Sequence, residues 1–112
     1  MKKFKIAVFV SGNGSNLQAL IDVSKNLNCP YEIKLVFSNN PDVYALKRAS
    51  QNNIPTFTLD HKNFKTRKEF DSTLSNILKK IDFDLIVLAG FMRILSREFI
   101  KKYENKIINL HP

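Results

Sequence analysis

The chain has 112 residues, 44% of them hydrophobic, 11% aromatic and 25% charged. That is enough for one small domain with a real core, burying about two thirds of the surface its unfolded chain exposes, and it excludes disordered and fibrous classes. Eighteen Lys and Arg against ten Asp and Glu give a formal charge of +8, which favours anionic partners.

The basic residues are scattered, from Lys25 and Lys34 through Lys62, Lys79 and Lys101, with no aromatic ladder or nucleic-acid-reading motif among them, so no nucleic acid is expected as partner. Cys29 is the only cysteine, which rules out an internal disulfide, fits a reducing compartment and leaves no cysteine-based zinc pattern. No apolar run approaches the roughly 18 residues of a membrane span, and Lys2, Lys3 and Lys5 lead straight into a strand-like run, unlike a signal peptide. The expected location is cytoplasmic, with no membrane partner.

In chain order, Phe4 to Val10 is a near-continuous apolar run ending at Ser11-Gly12, as in a parallel strand buried on both faces. Leu17, Leu20, Ile21 and Ser24 then follow helical spacing, predicting a helix from Ser15 that fades at Asn26 to Asn28. Ile33 to Phe37 is a second strand. Asn40 before Pro41 reads as an N-cap and first helical residue, opening a helix through Val43, Leu46 and Ala49. Ile54 to Leu59 is a third strand, and Thr66 with Glu69 makes a capping box for a helix carrying Phe70, Leu74, Ile77, Leu78 and Ile81 on one stripe. Leu85 to Ala89 is a fourth strand. Ser96 caps a shorter helix, with Leu95 able to staple against Ile100, and Lys106 to Leu110 is a fifth strand ending at His111-Pro112.

Strands alternating with helices predict an α/β fold, a Rossmann-like open parallel sheet with helices on both faces. Ligands of such sheets sit beyond the carboxyl ends of the strands, so the chemistry is expected at residues 11–16, 38–40, 89–95 and 109–112.

Ser11-Gly12-Asn13-Gly14-Ser15-Asn16 joins the first strand to the first helix, where glycines let a ligand approach and free helix N–H groups attract an anion. It lacks the lysine of a nucleoside-triphosphate loop. Leu17 stands at the third glycine position of a dinucleotide fingerprint, and Asn39-Asn40 stands where a ribose-holding acid would follow the second strand. A phosphate monoester remains, with Ser15 and Asn16 able to add side-chain donors; a merely connecting turn is the plainer alternative. Strand alternation puts Asn109 and His111 on one side, where an amide and an imidazole suit an oxyanion and a proton transfer, although a histidine at a strand end is more often packed or solvated. Ala89 to Leu95 leaves the fourth strand as an apolar loop with a glycine and one cation, which could wall a flat aromatic ligand but on composition alone reads as core packing. Arg67, a cation in the first turn of a helix, is either solvated or partnered by a ligand carboxylate. His61 has no metal-ligand spacing and receives no role.

The segments Ser11 to Leu17, Ala89 to Leu95 and Asn109 to Pro112, in order over essentially the whole chain, resemble three motifs of phosphoribosylglycinamide formyltransferases, folate-dependent enzymes of purine synthesis. The resemblance implies formyl transfer from 10-formyltetrahydrofolate to the amine of 5-phosphoribosylglycinamide, without a metal. It implies substrate phosphate at Gly14, Ser15 and Asn16. Folate would lie at Arg67, Met92, Arg93, Ile94, Leu95 and Asn109, and Asn109 and His111 would be catalytic. A non-catalytic phosphate-binding module and a formyltetrahydrofolate hydrolase are the alternative readings. Family members run to roughly twice this length and carry a downstream aspartate that orients the histidine. The expectation is therefore that residues 1–112 are the N-terminal part of a single formyltransferase domain, that they have little activity alone, and that they self-associate through an apolar face left bare.

Overall fold

The computed structural model describes residues 2–110; His111 and Pro112, at the catalytic end of the sequence reading, lie outside the described residues. Five parallel strands form one sheet: β1 (Phe4–Val10), β2 (Tyr31–Ser38), β3 (Thr56–Thr58), β4 (Leu85–Ala89) and β5 (Ile107–Leu110), in the spatial order β3-β2-β1-β4-β5. Four helices cross between them: α1 (Ser15–Ser24), α2 (Tyr44–Gln51), α3 (Arg67–Leu78) and α4 (Arg97–Lys102).

Each face of the sheet carries its own core because successive side chains of a strand point to opposite sides. Ile6, Val8 and Val10 of β1 meet Leu17 and Ile21 of α1 and Ala45 and Ala49 of α2. Ala7 and Phe9 face the other way, onto Phe70, Leu74 and Leu78 of α3 and Phe99 of α4. Phe9 is the centre of that second layer, fully buried and edge-on to Phe37 and Phe91 at ring separations of 5.0 and 5.4 Å. The near-continuous apolar character of β1 has its explanation here, since both of its faces are covered.

Two caps form as the sequence requires. Thr66 accepts the Glu69 N–H at 3.1 Å and Ser96 accepts the Phe99 N–H at 3.1 Å, each closing a first-turn donor that the helix itself leaves open. The expected start of the second helix is corrected. Asn40 does not cap α2, which begins at Tyr44 behind Val43 with no side-chain cap. Asn40 instead turns back to the sheet, its N–H donating to Ser38 Oγ at 3.0 Å and its Nδ2 to the Ser11 carbonyl at 2.9 Å. Helix α1 also ends sooner than the periodicity suggests, because the N–H groups of Lys25 and Asn26 bond three residues back to Asp22 and Val23 and tighten the last turn. Ile81 follows α3 in the same way, through a turn to the Leu78 carbonyl.

The strand order reverses direction at β1. From β1 the chain steps outward to β2 and β3, then returns to build β4 and β5 on the other side, so the loops leaving β1 and β4 diverge and open a crevice at their carboxyl ends.

Candidate functional site

Ser11 ties that crevice together. Its hydroxyl donates to Asn39 Oδ1 at 2.6 Å and accepts the Met92 N–H at 2.7 Å, so one buried side chain joins the ends of β1, β2 and β4. Asn39 is buried too, and its carbonyl accepts from the His61 N–H at 3.4 Å and lies 3.2 Å from His61 Nδ1. The polar residues that replace a ribose-holding acid after β2 are thus struts of the crevice floor. Sequence reasoning gave Ser11 and Asn39 no individual role, because their partners are far away in the chain.

The loop leaving β1 runs directly into α1. Gly14 is the N-cap of that helix at φ +85°, with no side-chain cap on the donors of the first turn. A helix start of this kind presents N–H groups and the positive end of the helix dipole to whatever lies before it. Gly14 has no room for a side chain: a Cβ there would sit 2.6 Å from the Cβ of Ala45 on α2. Ser15, exposed, and Asn16, half-buried, follow it at the first two helical positions, so Gly14, Ser15 and Asn16 are contiguous around the helix N-terminus.

The loop leaving β4 passes between two cavities. One, of about 390 Å³ and mostly apolar, is bounded by Leu88, Arg93, Ile94, Leu95, Ile100, Tyr103 and Ile107. The other, of about 350 Å³, brings Arg67 and His61 together with Asn39, Asn40, Met92, Arg93 and Ile94. The structure therefore groups Arg67 with Met92, Arg93 and Ile94 across a gap in sequence, and separates Leu95 from Arg67 by putting it on the other side of the loop. Met92 and Ile94 are 84% and 68% exposed, which sets aside the reading of this segment as ordinary core packing; only Leu95 is buried. Leu88, Ile100 and Ile107 belong to the apolar wall but were absent from the sequence-based site. Ile100 appears in the sequence only as a helix staple, and the strand residues only as strand.

Arg93 holds the loop from within. Its guanidinium lies 4.3 Å from the centre of the Phe70 ring, while its Nε is buried without a hydrogen-bond partner among the described residues. Asp71, 3% exposed on the same helix as Phe70, accepts the Ser96 N–H through Oδ2 and leaves Oδ1 without a partner among the described residues. Both residues fasten the segment 92–96 to α3.

Asn109 stands opposite Leu88 in the β4–β5 register and is exposed. Alternation along β5 puts it on the same face as Ile107, one step nearer the strand's carboxyl end than the apolar cavity. Its expected companion His111 lies outside the described residues. Among the described residues no three His, Cys, Asp or Glu side chains converge as metal ligands, and no helix is long and apolar enough to cross a membrane.

Residues 4–112 match the profile of the family described as formyl transferase. The chain belongs to the formyl transferase family. Among its relatives, the trifunctional purine biosynthetic protein adenosine-3 of Gallus gallus is 49% identical over 110 residues, covering 98% of this chain and 11% of that protein. The phosphoribosylglycinamide formyltransferase of Haemophilus influenzae is 44% identical over 108 residues, 96% of this chain and 51% of the relative. The solved phosphoribosylglycinamide formyltransferase of Coxiella burnetii superposes with a TM-score of 0.91 at 46% identity, over 99% of this chain and 52% of that one. This formyl transferase chain thus spans about half the length of its single-function relatives and about a tenth of the trifunctional ones.

Proposed function

We propose that these residues form the phosphate-binding, folate-binding and oxyanion-holding side of a formyltransferase. The enzyme would move the formyl group of 10-formyltetrahydrofolate to the amine of 5-phosphoribosylglycinamide. The observation that carries the reading is the shared crevice: an uncapped helix N-terminus at Gly14 and an apolar cavity beside Arg93 to Leu95 flank the same reversal of strand order. Relatives bearing the name of that activity support it.

In this reading the phosphate of the acceptor sits on the N–H groups at Gly14, Ser15 and Asn16, which carry partial positive charge and need no lysine. The flat folate ring enters the apolar cavity along Ile94 and Leu95, and the Arg67 guanidinium meets its anionic tail. Arg93, its guanidinium seated over the Phe70 ring, lines both cavities and adds a positive charge beside the folate. Positioning two substrates across one crevice turns a bimolecular encounter into a near-unimolecular step.

The amine nitrogen then attacks the formyl carbon, and the carbonyl electrons move onto oxygen. The Asn109 amide donates a hydrogen bond to that oxygen, as His111 does when protonated. Collapse breaks the bond from the formyl carbon to folate nitrogen. That nitrogen takes up a proton, the ammonium of the attacking amine loses one, and His111 is the group that relays them. Formylglycinamide ribonucleotide and tetrahydrofolate leave.

Hydrogen exchange on residues 1–112 tests the binding half. 5-Phosphoribosylglycinamide is expected to protect the amides of residues 13–17, and tetrahydrofolate those of residues 92–96. Protection of neither segment overturns the reading. In a full-length family member carrying these residues, Asn109→Ala and His111→Ala are expected to lower kcat at least 100-fold with acceptor binding retained. Unchanged turnover would favour a non-catalytic phosphate-binding module.

A further inference from the structure

Arg48, on α2, reaches back 35 residues to the loop that leaves β1. Its Nε donates to the Asn13 carbonyl at 2.8 Å, its Nη2 to Asn13 Oδ1 at 2.5 Å and its Nη1 to Gln18 Oε1 at 3.2 Å. The guanidinium also lies 4.6 Å from the centre of the Tyr44 ring. Gln18, on α1, is itself fixed: its Nε2 donates to Asp22 Oδ1 at 2.9 Å and its N–H to the Gly14 carbonyl at 2.8 Å. Beside this fork, the Ala45 N–H donates to the Gly12 carbonyl at 3.1 Å. Two consecutive carbonyls of the loop, those of Gly12 and Asn13, are therefore held on the α2 side.

A trans peptide is planar, and its C=O and N–H point in opposite directions. No cis peptide occurs among the described residues. Anchoring the Gly12 and Asn13 carbonyls toward α2 thus aims the N–H groups of Asn13 and Gly14, which share those two planes, away from α2. Without Arg48 the plane shared by the Asn13 carbonyl and the Gly14 N–H is free to rotate while Ala45 still holds the plane before it, and the two N–H groups lose their common direction. The cost of aligning them would then fall on the ligand.

We infer that Arg48 is a positioning residue for the anion-binding loop: it holds the Asn13 peptide so that the loop's N–H groups converge, without itself serving as the ligand's cation. This rests on the phosphate reading of the loop given above. Three guanidinium donors are committed to the protein in one plane, which a lysine, a point donor on a flexible stem, cannot reproduce. The same arrangement explains how a loop with no lysine of its own is kept ordered in a strongly basic chain.

The test uses the 112-residue chain and nitrogen-15 NMR on wild type, Arg48→Ala, Arg48→Lys and Ser50→Gly, the last weakening the same helix at an exposed position away from the loop. In the free protein, Arg48→Ala is expected to lower the order parameter of Gly14 and speed its amide exchange, with a smaller effect on Asn13, whose N–H shares the plane that Ala45 still holds. Arg48→Lys should restore little, ethylguanidinium added to Arg48→Ala should restore much, and Ser50→Gly should leave both amides as in wild type. Titration with 5-phosphoribosylglycinamide should give a Kd about tenfold weaker for Arg48→Ala, equivalent to about 1.4 kcal/mol. Loop amides unchanged in free Arg48→Ala, or loosened equally by Ser50→Gly, or full restoration by lysine, would overturn the inference. If the wild-type chain does not respond to the ligand at all, the phosphate reading falls, and the ligand-free measurements still decide the role of Arg48.

Discussion

Gly14 gives the most quantitative handle on the loop, because three glycines of one chain separate strain from crowding. Gly14 combines φ +85° with a missing Cβ that would approach the Ala45 Cβ to 2.6 Å and the Ala45 Cα to 2.8 Å. Gly90 has φ +74° but open space around the same position, and Gly12 has neither a positive φ nor a neighbour within 4 Å. A side chain in the left-handed region costs roughly 1–2 kcal/mol, and forcing extra volume into a packed contact costs roughly 1–3 more. Gly14→Ala should therefore destabilise the chain by about 2–5 kcal/mol, Gly90→Ala by about 1–2, while Gly12→Ala should be neutral or stabilising by up to about 1 through the unfolded state. The crowded atoms at Gly14 belong partly to the α2 backbone, so the whole helix must move and side-chain rotation brings no relief. Urea denaturation followed by circular dichroism measures all three. A loss below about 1 kcal/mol for Gly14→Ala, or equal losses for Gly14→Ala and Gly90→Ala, would refute the claim that α2 presses on the loop.

The remaining perturbations act on the other supports of the crevice. Asp71→Ala removes the acceptor of the Ser96 N–H and should cost about 1.5–3 kcal/mol in urea melts, with faster amide exchange over residues 92–96; an unchanged exchange pattern there would show that α3 does not hold the loop. Phe9→Ala empties the centre of the layer beneath α3 and α4 and should cost about 3–5 kcal/mol, against a smaller loss for Phe9→Leu. Lys5 Nζ and Asp82 Oδ2 lie 2.5 Å apart, which holds the Asp82 carboxyl below its ordinary value near 3.8 and the Lys5 ammonium above its ordinary value near 10.5, the hydrogen bond between them being the largest cause in each. The Asp82 contribution is present above the ordinary carboxyl value and lost as pH falls through the lowered one, whereas that of Lys5 is present below 10.5 and lost as pH rises through the raised one. Asp82→Asn should therefore lower the urea midpoint slightly at neutral pH and less at both extremes; a deficit that grows in acid would reverse the sign of this reasoning.

The parts of the molecule legible in the sequence are those whose physics is local or periodic. Thr66 with Glu69 and Ser96 before α4 cap helices through partners three residues away, so their function is visible in a window of four letters. The doubly buried run Ile6 to Val10 announces a central strand because no polar residue interrupts it. Asn40 misled for the same reason that it matters. Its sequence context is that of a cap, but a carbonyl 29 residues earlier offers its amide a partner at the crevice floor, and that tertiary bond displaces the start of α2 by three residues beyond Pro41. Ser11 and Asn39 were invisible as a pair because neither has a local signature, and Arg48 sits in a plain amphipathic helix where nothing distinguishes it from Lys47.

The crevice residues share a property that their motifs do not express: each of its walls is fastened by a group from a different layer of the sheet sandwich. The β1 loop is held from α2 through Arg48 and Ala45, and the β4 loop from α3 through Asp71 and the Phe70 ring beneath Arg93. Among the described residues the two loops are hydrogen-bonded to each other at the floor, by the Ser11 hydroxyl and the Met92 N–H. Losing an α2 anchor should therefore disturb the anion side alone, and losing an α3 anchor the apolar side alone, while Ser11→Ala should reach both because it frees Met92 and Asn39 at once. Two walls with separate anchors and one common hinge point can each be pre-arranged for a chemically different ligand, one anionic and one flat and apolar, without the packing demands of either compromising the other.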